Sequence, residues 1–346
     1  MENHQTKNDY TYHVAFKEST NIEKFIRAYG IEYHNLKNVD VKIPYEKITC
    51  VSGVSGSGKS TLVKVIGDSC EKQRPVNCKE ISNIAGIKKV LYVNQQPIGK
   101  TPRSTVVSYL GIYDTIRQLF AYTEKAKKNG LSSSDFSMNI PGGRCEICQG
   151  TGKKKIELTY LPDSYIKCPE CQGKRFHNDV LEVKYKGYNI NDILDKPIGE
   201  IKELFNDIES IQSILQCMID IGLDYISLGQ MSMNLSGGEA QRIKLAKCLG
   251  ANSKGRSLYI LDEPTAGLND KDIALLEKIL LRLNQEKETV LIIEHNIEFI
   301  SHVADYLVDL GKNAGNRGGK TVIQGNPIEV VKNVLSSWDM VNFHDN

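Results

Sequence analysis

The β-branched run Lys47-Ile-Thr-Cys-Val51 leads through Ser52 into Gly53-Val-Ser-Gly-Ser-Gly58-Lys59-Ser60, and no other stretch restricts the fold of this chain as strongly. The run reads as a strand. The Gly-x4-Gly-Lys-Ser pattern after it is a loop whose bare amides curl around a phosphate, and it requires a strand before it and a helix after it. That helix is expected from about Lys59 to Gly67. Lys59 would neutralise phosphate charge and the Ser60 hydroxyl would ligate magnesium, with Gly53, Ser55, Gly56, Ser57, Gly58 and Thr61 completing the cradle. A chain built around this unit is expected to be α/β.

Two later runs extend the sheet. Leu258-Tyr-Ile-Leu-Asp262-Glu263-Pro264 is an apolar strand ending in two acids, and Val290–Ile293 is a second apolar run delivering Glu294-His295-Asn296. Both read as buried parallel strands. Asp262 suits the magnesium shell, Glu263 suits the base that polarises an attacking water, and His295 suits a γ-phosphate contact. Gln95, just after an expected strand over Lys88–Val93, could sense magnesium and water. Ser236 and Glu239 form a capping box, so Leu235-Ser-Gly-Gly-Glu-Ala-Gln-Arg242 opens a helix; Gly237 and Gly238 leave its amides approachable by an anion. Further strands are expected over Phe25–Ile31 and Val39–Ile43. Residues 68–89 read as irregular, and helices are expected over Val106–Lys128, over 200–221, and around Ile273, Leu276, Leu280 and Leu283.

Composition matters here mainly for what it excludes. The start has no apolar signal segment, and no run approaches the roughly 18 apolar residues that a membrane span needs, so a cytoplasmic location is expected. Nine cysteines in a reducing compartment point to a metal rather than to disulfides. Cys145-x2-Cys148-x19-Cys168-x2-Cys171 has the spacing of a tetrahedral four-thiolate zinc site, and four protein ligands make it structural. Between the pairs, residues 153–167 read as a hairpin tethered by the metal. Net charge is only +2, so any nucleic-acid surface must be local. The span from Arg144 to Lys186 holds nine Lys/Arg against six Asp/Glu. Lys153, Lys154, Lys155, Lys167, Lys174 and Arg175 are therefore candidates for sequence-independent contact with a DNA backbone.

With the phosphate loop, Gln95, Leu235–Glu239, Asp262-Glu263, Gly267-Leu268 and His295 in this order, the chain resembles the ATP-binding cassette superfamily. More narrowly it resembles the C-terminal half of the UvrA family, the damage-recognition ATPases of bacterial nucleotide excision repair. The resembling stretches are Asn35-Leu-Lys-Asn-Val, the phosphate loop, Pro97-Ile-Gly-Lys-Thr-Pro-Arg-Ser, Gly142-Gly-Arg-Cys-Glu-Ile-Cys-Gln-Gly, Leu161-Pro-Asp-Ser-Tyr, Leu235–Ala246, Ile293-Glu-His-Asn, Asp309-Leu-Gly and Gly315-Asn-Arg-Gly-Gly. The resemblance implies an ABC-type P-loop ATPase fold with a helical signature subdomain and an inserted zinc module. ATP, magnesium and zinc are the implied cofactors. It also implies that Ser236 to Glu239 act in trans on the γ-phosphate held by a second cassette. One cassette per chain then points to a homodimer, and damaged duplex DNA is the implied ligand. The family's N-terminal cassette, with its UvrB-contacting insertion, has no counterpart here, which leaves recruitment of UvrB open. Asn269 stands where the family usually has histidine, and Gly311-Lys-Asn-Ala-Gly replaces a Pro/Glu/Gly-rich version.

The expected organisation is an N-terminal extension over 1–24, a first ATP-binding part over 25–135, a signature subdomain over 136–256 with the zinc module at about 141–190, and a second ATP-binding part over 257–346. Three other functions fit parts of the sequence: a self-protection or drug-resistance ATPase acting without nuclease partners, the ATPase subunit of a transporter, and a truncated inactive copy.

Overall fold

The computed structural model describes residues 22–93, 98–99, 101, 103–156, 164–250, 256–311, 319 and 323–330. The expected N-terminal extension thus lies almost entirely outside the described residues, as does Gln95. The described residues group into two compact units, one drawn from 1–95 and 253–346, the other from 96–252.

In chain order the first unit contributes β1 (Phe25–Tyr33), β2 (Leu36–Pro44), β3 (Ile48–Ser52), α1 (Lys59–Lys72), β4 (Glu80–Ser82) and β5 (Lys89–Val93). The second unit follows with α2 (Val106–Leu110), α3 (Tyr113–Ala121), α4 (Glu124–Lys128), β6 (Lys153–Ile156), β7 (Ser164–Lys167), α5 (Asn178–Leu181), α6 (Ile190–Asp195), α7 (Ile198–Ile201), α8 (Glu209–Asp220) and α9 (Gly237–Leu249). The chain then returns to the first unit with β8 (Ser257–Asp262), α10 (Asp270–Gln285), β9 (Thr289–Ile293), α11 (Ile297–Val303), β10 (Tyr306–Asp309) and β11 (Ile323–Gly325).

The first unit is organised by a six-stranded sheet of order β11-β10-β3-β9-β8-β5. All neighbours in it are parallel except β10 and β11. β3 and β9 are buried along their whole length, as expected for parallel strands covered on both faces. A smaller antiparallel sheet, β2-β1-β4, closes the core from another side. Ile26 and Val41 from it meet Leu62 and Ile66 of α1, with Leu258 and Leu291 of the main sheet in the same apolar cluster.

Helix α1 runs past Gly67 to Lys72 rather than stopping there. A Cβ at Gly67 would lie 2.0 Å from Tyr92 Oη and 2.7 Å from Ile260 Cδ1. The glycine lets the helix press against the sheet, and the stop comes instead at Gln73, in the left-handed region at φ 52°. The region read as irregular also holds β4, which pairs with β1 through Arg27, Ala28 and Tyr29.

The helix expected over Val106–Lys128 is three helices. Gly111, at φ 79°, ends α2, and Thr123 caps α4 by accepting a hydrogen bond from Ala126 N. The expected helix over 200–221 is also divided, into α7, a 3₁₀ turn at Lys202–Phe205, and α8. The boundary expected at 135/136 falls inside the second unit. There Val106 N donates to Gln230 O (3.0 Å) and Val107 N to Leu228 O (2.8 Å), which ties α2 to the segment before the signature helix. Helical periodicity marks a buried face but not the element it packs on.

The core of the second unit is largely aliphatic, with an aromatic cluster inside it. Phe120 packs on Phe136 at 5.4 Å and on Tyr185 at 6.1 Å between ring centroids, and Tyr185 stacks on Phe205. Buried Tyr113 donates its hydroxyl to Phe136 O (2.9 Å) and accepts from Met138 N (3.0 Å), fixing the chain that leads into the cysteine module. Burial holds the Tyr113 hydroxyl far above the ordinary tyrosine range, so it remains a donor at all working pH. Tyr113→Phe leaves both backbone groups unpaired in the interior. A loss of about 1–3 kcal/mol in unfolding free energy is expected, measured by denaturant titration; an unchanged midpoint would contradict this role.

Candidate functional site

The parallel register decides which side chains meet. Asp309 pairs with Ser52, Val51 with Ile293, and Asp262 with Ile293, so four strands finish along one edge of the sheet. Ligands of open α/β sheets bind at such carboxyl ends. β3 delivers the phosphate loop, β8 delivers Asp262 and Glu263, β9 delivers Glu294 and His295, and β10 delivers Asp309. The expected partners therefore assemble, and Asp309, read in the sequence only as part of the resembling stretch Asp309-Leu-Gly, joins them. Its carboxylate accepts from Ser52 Oγ (2.7 Å) and from Gly311 N (2.7 Å).

Gly58 sits at φ 108°, and a Cβ there would lie 2.8 Å from Leu36 Cδ2. Only glycine lets the loop pass this close to β2 while turning into α1. Asn35 Nδ2 donates to Gly56 O (3.2 Å) and Ser57 N to Val54 O (3.1 Å), shaping the loop from outside and from within. The Lys59 ammonium is folded back onto Gly53 O (2.8 Å) and Val54 O (3.0 Å). Burial draws its pKa below the ordinary lysine range, while Glu263, Asp309 and Asp262 pull the other way. Burial, and then the charge of Glu263, raise the pKa of Asp262; Lys59 offsets part of that shift. This is a charge pattern that gains from a cation beside Asp262.

Glu263 has the left-handed backbone conformation, φ 45°. Its amide donates to Ile293 O (2.9 Å), and its Oε1 lies 3.5 Å from His295 Nε2. Both side chains are partly exposed, so they are open to a ligand. Asn269, where the UvrA pattern usually has histidine, accepts from Asp272 N (3.1 Å) and caps α10. The cap was legible in Asn269-Asp-Lys-Asp, which has the polar start a helix needs.

In the second unit α9 opens as expected. Ser236 Oγ accepts from Glu239 N (3.2 Å), and Glu239 Oε2 accepts from Ser236 N (2.8 Å). Tyr225 Oη donates to Glu239 Oε1 at 2.6 Å, a contact no local pattern announced. Both carboxylate oxygens are thus occupied, and a Cβ at Gly237 would meet nothing within 4 Å.

The four cysteines also come together, their sulfurs all within 4.8 Å of one another. Metal–sulfur bonds of about 2.3 Å in a tetrahedron place sulfurs about 3.8 Å apart. Cys145 and Cys168 are 3.9 Å apart and Cys148 and Cys171 3.6 Å. Gly152 N donates to Cys148 Sγ (3.3 Å), the kind of bond that steadies a metal-held thiolate. The residues fit zinc. β6 and β7 pair as the expected hairpin, with Lys153 opposite Lys167, Lys154 opposite Ile166 and Lys155 opposite Tyr165. The side chains of Lys153, Lys154, Lys167 and Lys174 are exposed. Arg175 differs, being bonded to Asp195 (2.5 Å) and Asn191 (3.0 Å). Among the described residues no helix is long and apolar enough to cross a membrane.

The fold and this edge chemistry define a class. The family model described as ABC transporter matches residues 36–266, and the chain belongs to that family of ATP-binding cassettes. Within it, the chain is similar to UvrABC system protein A. The identity is 46% over 321 residues with the protein of Clostridium acetobutylicum, covering 91% of this chain and 34% of that protein. With the Bacillus subtilis protein it is 47% over 316 residues, covering 89% and 33%. The chain thus spans about a third of the curated relatives it matches. The crystal structure of UvrA2 from Deinococcus radiodurans superposes with a TM-score of 0.78 at 40% identity, covering 93% of this chain and 40% of that one. A putative metal-chelate type ABC transporter, 15% identical with a TM-score of 0.51, shares the fold alone.

Because the pKa of Asp262 is raised, a proton competes with a cation there at a higher pH than at an ordinary aspartate. Magnesium-dependent nucleotide affinity should therefore weaken on acidification from neutrality, and Asp262→Asn should flatten that dependence. Binding of a fluorescent ATP analogue, followed from neutrality down to the ordinary aspartate range, reads this out, and a wild-type pH dependence identical to that of Asp262→Asn would contradict it.

Proposed function

We propose that this chain is a UvrA-type ATPase that couples ATP hydrolysis to binding of damaged duplex DNA. The observation that carries the reading is the pairing of two features: a cassette-type edge with Lys59, Asp262, Glu263 and His295 in one unit, and a four-thiolate cluster bearing a lysine hairpin in the other. The extent of the similarity to UvrABC system protein A supports it.

In this mechanism Lys59 leaves the loop carbonyls for the phosphates of ATP. Its charge and the loop amides stabilise the charge that develops on the transferred phosphoryl group. Ser60 and Asp262 would hold the magnesium, which would supply positive charge against the phosphates. Glu263 orients and deprotonates the attacking water, His295 contacts the γ-phosphate, and Gln95 senses the magnesium and water. The Ser236 hydroxyl and the amides of Gly237 and Gly238 supply donors to the γ-phosphate of a partner cassette, most simply a second copy of this chain, while Glu239 holds the helix start through the capping box. The bonds from Tyr225 Oη and Ser236 N fix the direction of the Glu239 carboxylate, which stays ionised.

Cys145, Cys148, Cys168 and Cys171 hold zinc, which when bound is a closed structural cross-link. The cysteine framework fixes the base of the hairpin, so Lys153, Lys154, Lys155, Lys167 and Lys174 meet DNA phosphates from a rigid platform. Arg175 braces that platform through Asp195 rather than touching DNA. The chain works in the cytoplasm. No contact to UvrB is assigned.

Charge reversal at Lys153, Lys154 and Lys167 tests the DNA arm. Affinity for a duplex with one bulky adduct should fall, and the slope of log affinity against log salt should flatten by roughly 0.9 for each phosphate no longer neutralised. Zinc content should stay unchanged. Unaltered affinity and salt slope would reject the hairpin as the element that meets DNA.

A further inference from the structure

Glu294 is 3% exposed at the active edge of the sheet, and the hydrolysis mechanism gives it no task. Its surroundings are specific. Oε1 accepts from Thr265 N (3.0 Å) and from the Thr265 hydroxyl, and Oε2 accepts from His295 N (2.7 Å) and Asn296 N (3.1 Å). Four donors from two different loops converge on one buried carboxylate. A buried carboxylate is tolerated when its oxygens are satisfied in this way.

We propose that Glu294 is a positioning residue whose carboxylate clamps the turn after Glu263 to the strand end carrying His295, and thereby sets the 3.5 Å approach of His295 Nε2 to Glu263 Oε1. The assignment rests on the ATPase reading of the same edge. The backbone of Glu263 shows why a clamp is needed. A left-handed glutamate at the end of a strand is strained and persists only where its surroundings over-determine it. Glu263 N is held by Ile293 O, and Ala266 N returns to Glu263 O (3.1 Å), closing a tight turn. The turn is then tied to β9 at Thr265, two residues beyond the strained position, by the Glu294 side chain.

The backbone of Glu294 is fixed as well, because its amide donates to Val51 O (3.2 Å) of β3, the strand that enters the phosphate loop. The clamp is thus referenced to the strand that positions the phosphates. Glutamine at 294 would keep one acceptor oxygen but turn an NH₂ group toward donors, leaving two of the four donors unmatched. The phosphate loop would be untouched. Loss of the clamp should therefore appear in the chemical step rather than in nucleotide affinity.

The experiment uses the full chain with magnesium and ATP. It measures steady-state hydrolysis, and binding of a fluorescent ATP analogue, for wild type, Glu294→Gln, Thr265→Val and Thr265→Ser. Glu294→Gln is expected to lower kcat on the order of ten- to a hundredfold, with the dissociation constant changed by less than about twofold. Thr265→Val removes only the hydroxyl donor and should lower kcat by about threefold or more, while Thr265→Ser restores it. Unchanged kcat in Glu294→Gln would overturn the proposal. So would affinity and kcat falling together, or Thr265→Val and Thr265→Ser behaving alike. Should Glu294→Gln fail to fold, the two Thr265 variants decide alone. A wild-type chain without ATP turnover would reject the ATPase reading and this assignment with it; an active wild type indifferent to these changes would reject only the clamp.

Discussion

The register of four parallel strands is the constraint on which the active edge depends. β10, β3, β9 and β8 end in step, and each contributes a polar group just where its hydrogen-bonded ladder stops. Inside the sheet these strands carry almost nothing but buried apolar side chains, so a slip in register would carry the chemistry away and would misplace the core at the same time. Stability and catalysis are specified by the same pairing. Lys59, Asp262, Glu263 and Asp309 then share one electrostatic environment, in which the burial that weakens the lysine charge is offset in part by the acids around it.

The second unit solves a different problem. Residues 136–177 contain few apolar side chains that could hold a hairpin, and the cysteine cluster replaces a core. Cys145 N donates to Arg175 O (2.8 Å), Cys168 N to Gly152 O (3.0 Å) and His177 N to Gly143 O (2.9 Å), so the two cysteine pairs are stitched by backbone bonds into one framework. The four sulfurs are held at spacings that suit a tetrahedral ion. Aromatic packing around Phe120 and Phe205 supports this framework within the unit.

Much of this is legible in the sequence because it is carried by local patterns. The phosphate loop, the acids after Leu261, the capping box at Ser236 and the cysteine spacing each depend on residues close in the chain, and each stands where its pattern implies. What local pattern does not show is set by distant partners. Gly67 looks like a helix end until Tyr92 and Ile260 are seen against it. Gly111 divides a segment whose apolar period suggests one helix. Strands β10 and β11 are too short for a two-residue period to register, and α11 is too short to show a helical one, although Asn296 caps it by accepting from Phe299 N. Glu294 reads only as the residue before His295, because its role depends on Thr265, which is remote in sequence. Arg175 counts as free positive charge until Asp195 is seen beside it.

In the proposed function, the edge built by β3, β8 and β9 is half of a site completed by the signature helix of a second cassette. Light scattering on the Glu263→Gln chain tests it most directly, because that variant should bind ATP and magnesium without consuming them. A mass of one chain is expected without nucleotide and of two with it, with loss of the ATP-dependent dimer when Ser236→Arg is added. A single-chain mass with saturating ATP and magnesium would contradict it.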